Sequence, residues 1–178
     1  IMYHPSYGAC YLSERVALKW RMIADQLILG FPIADTGRTL QNDELCLFEN
    51  GLIVSRPNGE VFAVTENVYR AYIGSMGTDM ANFPGRIGYP VNDTRRLAND
   101  GWMGVFERAD IYQRGLDPGR ILQGAILARY HQLGGENARI GLPISDQYDF
   151  KVDENLLGHA NDFEGGTIFW SENSGARV

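Results

Sequence analysis

Gly141-Leu142-Pro143-Ile144-Ser145-Asp146 is the stretch that decides how this chain is read, because it occurs three times. Gly30-Phe31-Pro32-Ile33-Ala34-Asp35 and Gly88-Tyr89-Pro90-Val91-Asn92-Asp93 share with it the pattern G-[FYL]-P-[IV]-x-D. Eighteen residues after the Gly stand Phe48-Glu49 and Phe106-Glu107, and in the third copy Phe163-Glu164 follows after four inserted residues. Proline fixes its own φ and glycine permits φ above zero, so each G-x-P reads as one shaped turn.

Working outward, a β-hairpin signal follows each Phe-Glu: Gly51-Leu52-Ile53-Val54, Ala109-Asp110-Ile111-Tyr112 and Gly166-Thr167-Ile168-Phe169. Each runs into a Gly-containing turn. Upstream of each G-x-P, Val16 with Trp20, Val68 with Tyr72 and Ile126 with Tyr130 keep a four-residue spacing that puts both side chains on one helix face. The unit is helix, G-x-P turn, irregular acidic loop, then hairpin, with a period of 53 to 58 residues between prolines. A unit of that size can hardly bury a core alone. The expected fold is therefore α+β: three tandem helix-plus-hairpin repeats around a pseudo-symmetry axis, open or closed into a ring, in one domain over residues 1–178. Units run 12–64, 65–122 and 123–178, and 1–11 end an incomplete unit, since Ile1 to Ala9 lie in gapless register on Ile168 to Ala176. Either a preceding part has been removed or the two chain ends complete a ring.

The 178 residues are 44% hydrophobic and 21% charged, which suits a folded domain rather than a disordered tail. Twenty-two acids against 16 bases give a net charge of -6, with no run of Lys or Arg, so nucleic acid and anionic membrane surfaces are poor partners. No stretch approaches the ~18 to 20 apolar residues of a membrane span. Cys10 and Cys46, without a CxxC or a His-plus-Cys cluster, imply no structural metal. They stand as one disulfide, contributing roughly 3 to 4 kcal/mol, or as two buried thiols, and secretion would favour the bridge. No phosphate or dinucleotide loop is present, so no cofactor is expected.

Leu29-Gly30-Phe31-Pro32 above all resembles the LGFP repeat, a unit of about fifty residues found in tandem in secreted proteins of mycolate-containing actinobacteria. The third unit matches best, reading Leu133-Gly134-Gly135, Ile140-Gly141-Leu142-Pro143, Phe163-Glu164-Gly165-Gly166 and Ile168-Phe169-Trp170. The first departs at Ala24-Asp25-Gln26, where the family has Gly-Gly, and the second carries an insertion over 80–85 and Ala109 in place of Gly. The resemblance implies a secreted, cell-wall-associated, noncatalytic module that binds arabinogalactan or peptidoglycan and anchors an attached catalytic domain. It transfers no catalytic residue. A glycan hydrolase with one cleft at a unit junction, or a protein-interaction scaffold, are the alternatives.

Repetition of Asp35, Asp93 and Asp146 speaks against an acid and base pair, which needs two unlike environments. A structural role, as an Asx-turn or helix N-cap, suits them, and a structural role likewise suits Glu49, Glu107 and Glu164. The repeated Gly30, Pro32, Phe48, Gly88, Pro90, Phe106, Gly141, Pro143 and Phe163 belong to the scaffold, and Trp20, Tyr72 and Tyr130 to the core. Residues that escape the repeat are the ligand candidates: Trp102, Arg95 and Arg96 in the second unit, with the hairpin aromatics Tyr3, Tyr112 and Trp170. They combine flat faces for a sugar ring with donors for its hydroxyls.

Overall fold

A computed structural model of the chain describes residues 1–23, 29–76, 83–98, 100–152 and 155–178. The departure at 24–26 and residues 80–82 of the insertion lie outside the described residues.

All three expected helices form: α1 (Glu14–Met22), α2 (Glu66–Met76) and α3 (Gly124–Gln132). Val16, Trp20, Val68, Tyr72, Ile126 and Tyr130 are buried, as their spacing requires. The chain opens with a hairpin of β1 (Met2–His4) and β2 (Gly8–Cys10), in which Tyr3 faces Ala9. After α1 comes a meander of β3 (Gly37–Arg38), β4 (Glu44–Phe48), β5 (Gly51–Ser55) and β6 (Val61–Thr65). After α2 come β7 (Arg95–Arg96), β8 (Trp102–Val105), β9 (Ala109–Gln113) and β10 (Arg120–Gln123). After α3 come β11 (Tyr148–Val152), β12 (Asn155–Phe163), β13 (Gly166–Ser171) and β14 (Gly175–Arg177). The protein is thus mixed, with three helices and four small antiparallel sheets and no closed barrel among the described residues. The stretches expected to be irregular acidic loops in fact carry two strands each. β3 and β7 are two residues long, too short to leave a period of two in the sequence. β1 and β2 pair in the register of β13 and β14, Tyr3 with Ala9 as Trp170 with Ala176.

Helices and sheets alternate along the stack, and the core falls into three clusters between them. One joins α1 to the inner face of the β3–β6 sheet. The next joins Leu52 and Val54 of that sheet's outer face to Val68 and Tyr72 of α2, to Ile111 of the following sheet and to Phe106 just past β8. The last places Ile126 and Tyr130 of α3 between Met103 and Tyr112 on one side and Phe163 and Ile168 on the other. β5 contacts both α1 and α2, and β9 both α2 and α3, so all five residues of each strand are buried. This corrects the expectation for Tyr112: a helix covers both faces of its strand, and its ring lies 5.3 Å from Tyr130, edge-on and 1% exposed.

Each G-x-P turn is locked from two sides. The Glu after the repeated Phe accepts the N–H after the Gly: Phe31 to Glu49 at 2.9 Å, Tyr89 to Glu107 at 3.3 Å, and Leu142 to Glu164 at 2.9 Å. The helix aromatic donates to the Gly carbonyl, from Trp20 Nε1 at 3.2 Å, Tyr72 Oη at 3.0 Å and Tyr130 Oη at 3.0 Å. Pro and Phe then meet in isolated bridges, Pro32 with Phe48, Pro90 with Phe106 and Pro143 with Phe163.

The repeated Asp is structural, but its partner is neither an Asx-turn nor a helix start. Asp35 accepts the Tyr11 N–H at 2.7 Å, Asp93 that of Ala63 at 2.9 Å and Asp146 that of Ile121 at 3.0 Å. Each reaches back to the last strand before the preceding helix, or to the residue that follows it. Each Asp thereby satisfies an N–H at or just past an edge strand and fastens its own loop to the sheet before it.

Cys10 and Cys46 are free and buried. Both Sγ atoms donate into one loop, Cys10 to the Pro32 carbonyl and Cys46 to that of Ala34, each at 3.5 Å. Of the two alternatives, the structure holds buried thiols. Burial pushes the Cys46 thiol up to about 12, and reactivity belongs to the thiolate. Native protein is expected to leave both cysteines unmodified by Ellman's reagent over an hour, whereas denatured protein releases two equivalents. Rapid native labelling, or a mass gain of two protons on reduction, would contradict this arrangement.

Candidate functional site

At one place in each unit the middle hairpin presents a paired couple of side chains beside the start of the helix. In the first unit the couple is Glu44 and Ser55, in the second Trp102 and Gln113, and in the third His159 and Trp170. Trp102 and Trp170 therefore occupy the same place from opposite strands.

In the third unit this place is a cavity of about 480 Å³. Trp170 forms one wall with His159 stacked on it, ring centres 5.8 Å apart and planes 5° from parallel. His159 Nδ1 lies 3.1 Å from Asp149 Oδ1, which holds the imidazole in place. The start of α3 (Gly124, Ala125, Ile126) forms a second wall. Gln123, Gln147, Arg86 and Arg108 supply the polar groups. A neighbouring cavity of about 470 Å³ shares Arg86, Gln123 and Gln147 and continues towards Ser75 and Asp146. The corresponding cavity of the first unit, about 460 Å³, is polar and lined by Ser13, Glu14, Arg15, Glu44, Ser55 and Arg56.

The residues singled out from sequence are not gathered in one site. Trp170 lines the cavity. Tyr3 is 70% exposed on the N-terminal hairpin, at the other end of the chain. Trp102 is half-buried against the α2 core, so packing occupies it. Arg95 pairs with Met103 in the sheet and Arg96 with Trp102, which puts the two arginines on opposite faces. Arg95 forms an ion pair with Glu136, and its guanidinium holds that carboxyl below the usual carboxylate range. Arg96 pairs with Asp100. From the second unit the cavity takes Arg86 and Arg108 instead. His159, Gln123, Gln147 and these two arginines were missed. Arg108 carried a usable signal, since Asn50 and Gly165 stand at its place in the other units.

The repeated acids Asp35, Asp93, Asp146, Glu49, Glu107 and Glu164 are all tied to the backbone, each accepting an N–H bond. Asp110 is buried beside Tyr112, and desolvation pushes its carboxyl up against the opposing bond from His131, 2.8 Å away. That pair joins β9 to the exposed end of α3. No cluster of metal-ligating side chains occurs among the described residues, and among them no helix is long and apolar enough to cross a membrane.

A family model for the LGFP repeat matches residues 87–138 and 140–178, just over half of the sequence. The chain belongs to the LGFP repeat family. Both matched LGFP segments start at a G-x-P turn, at Ile87 and Ile140. The first contains Arg108, Gln123 and the start of α3, and the second Gln147, His159 and Trp170, so the cavity is assembled where two LGFP segments meet. Arg86 stands one residue before the first. LGFP repeats are found in cell-surface proteins. No curated protein matches the chain.

Proposed function

We propose that this LGFP chain is a secreted, noncatalytic module that binds a cell-wall glycan, arabinogalactan or peptidoglycan, and holds an attached catalytic domain at the wall. The observation that carries the reading is the Trp170 cavity: an aromatic face, stiffened by His159, ringed by two amide side chains and two guanidiniums. Sugar rings present C–H faces to an aromatic plane and hydroxyls to donors and acceptors at its rim. In this reading the three helix-and-sheet units are tandem repeats about a pseudo-symmetry axis. The first and third offer a cavity at the same place, and weak sites add through avidity.

Retention on insoluble arabinogalactan and peptidoglycan tests it. Wild-type chain is expected to sediment with at least one of them, and Trp170→Ala to lose at least fivefold of that retention. Trp170→Leu keeps apolar bulk against the α3 core and is expected to melt within a few degrees of wild type while still losing retention. Retention by Trp170→Leu equal to wild type would remove the stacking platform from the proposal.

A further inference from the structure

Two guanidiniums line the cavity, and one of them, on the exposed Arg86, is left without a carboxylate among the described residues. The protein as a whole is acidic, at -6, yet Arg86, which lines both neighbouring cavities, has no ion-pair partner among the described residues. Arg108 is held by backbone, its Nε donating to the Arg86 carbonyl at 2.5 Å and its Nη2 to that of Gly85 at 3.0 Å. Its nearest carboxylate, Glu107, stands 3.9 Å from Nη1 and is shared with the Tyr89 N–H and, at 3.7 Å, with Arg56. Of the other acids nearby, Asp146 pairs with Arg120 and accepts the Ile121 N–H, and Asp149 is hydrogen-bonded to the His159 ring. The wall formed by α3 adds to this. The first N–H groups of a helix have no partner within it and carry partial positive charge. α3 has neither an acidic residue in its first turn nor a side-chain cap on Gln123, whereas α1 begins with Glu14.

We infer that the Trp170 cavity selects sugars bearing an anionic group, a carboxylate or a phosphate, beside the ring that stacks on Trp170. This rests on the glycan reading above and narrows it. The ring lies on the indole, and the anion meets the Arg86 and Arg108 guanidiniums and the start of α3. Arg108, already fixed by its backbone bonds, loses little freedom when the ligand arrives.

Three disaccharides with the same rings test it by calorimetry on the full chain in low salt: one with a lactyl carboxylate, one with the carboxamide in its place, and one with a phosphate. Wild type is expected to bind a charged ligand at least tenfold more tightly than the carboxamide, with the advantage shrinking at 0.5 M salt. Whichever charged form binds tighter identifies the natural group. Arg86→Gln, which leaves the carbonyl that holds Arg108 and the start of α3, is expected to reduce the preference at least threefold while the carboxamide binds as before. Trp170→Leu is expected to weaken all three alike. Equal binding of acid and carboxamide by wild type, or a preference undiminished in Arg86→Gln, overturns the inference and leaves the glycan reading standing. No binding of any of the three, together with no retention on wall glycan, overturns both.

Discussion

Gly141→Ala is expected to destabilise the chain by about 3 to 5 kcal/mol, more than any single surface change. Gly141 sits at φ 77°, where a side chain costs roughly 1 to 2 kcal/mol in backbone conformation alone. An added Cβ would also stand 2.3 Å from Glu164 Oε2 and 2.8 Å from that residue's own Cβ, so Glu164 must leave. The Leu142 N–H then loses its carboxylate, and a hydrogen bond to a charged group is worth about 1.5 to 3 kcal/mol. Gly59→Ala separates the two effects, because Gly59 has φ 96° but open space where a Cβ would go. It is expected to cost only about 1 to 2 kcal/mol. Urea unfolding of both variants checks this. A Gly141 variant no less stable than the Gly59 variant would mean that the Glu lock contributes nothing.

Much of the scaffold was legible because its parts are local. A four-residue spacing gave the buried faces of all three helices, and G-x-P with the following Phe-Glu marked turns whose strain glycine relieves. The acids show where legibility ends. Asp35, Asp93 and Asp146 bond N–H groups 24 to 30 residues earlier in the chain, and nothing in the spacing around a turn points to a partner so remote. Tyr112 was misplaced for a similar reason. Alternation along a strand exposes every second residue only when one face of the sheet is open, and whether a second helix covers it is decided by the next unit. The cavity was the least legible of all. Trp170 stood out by type, but His159 becomes its neighbour only through the register of β12 on β13, and Arg86 and Arg108 arrive from another unit.

The repeated Phe provides the second large effect. Phe106 is 4% exposed, and its ring lies 4.4 Å from that of Tyr72, whose hydroxyl holds the Gly88 carbonyl of the turn. Phe106→Ala empties a space bounded by α2, the G-x-P turn and β8, where Gly104 already allows the closest approach of Val68. Truncating a buried Phe to Ala costs about 3 to 5 kcal/mol, because the transfer energy is lost and the cavity collapses only in part. The site should also couple to its neighbour. Tyr72→Phe removes the hydroxyl that fastens the turn but keeps the ring, and in the Phe106→Ala background that ring has lost the face it packs on. Residues in direct contact depart from additivity by about 0.5 to 3 kcal/mol, so the double variant is expected to lose less than the two single losses combined. Trp102→Ala gives the contrast: half-buried on the same core, it should cost less than Phe106→Ala. A double-mutant cycle by chemical denaturation decides the point. Strict additivity of Tyr72→Phe and Phe106→Ala would show that the ring contact and the turn act independently, and that the helix does not lock the turn through this pair.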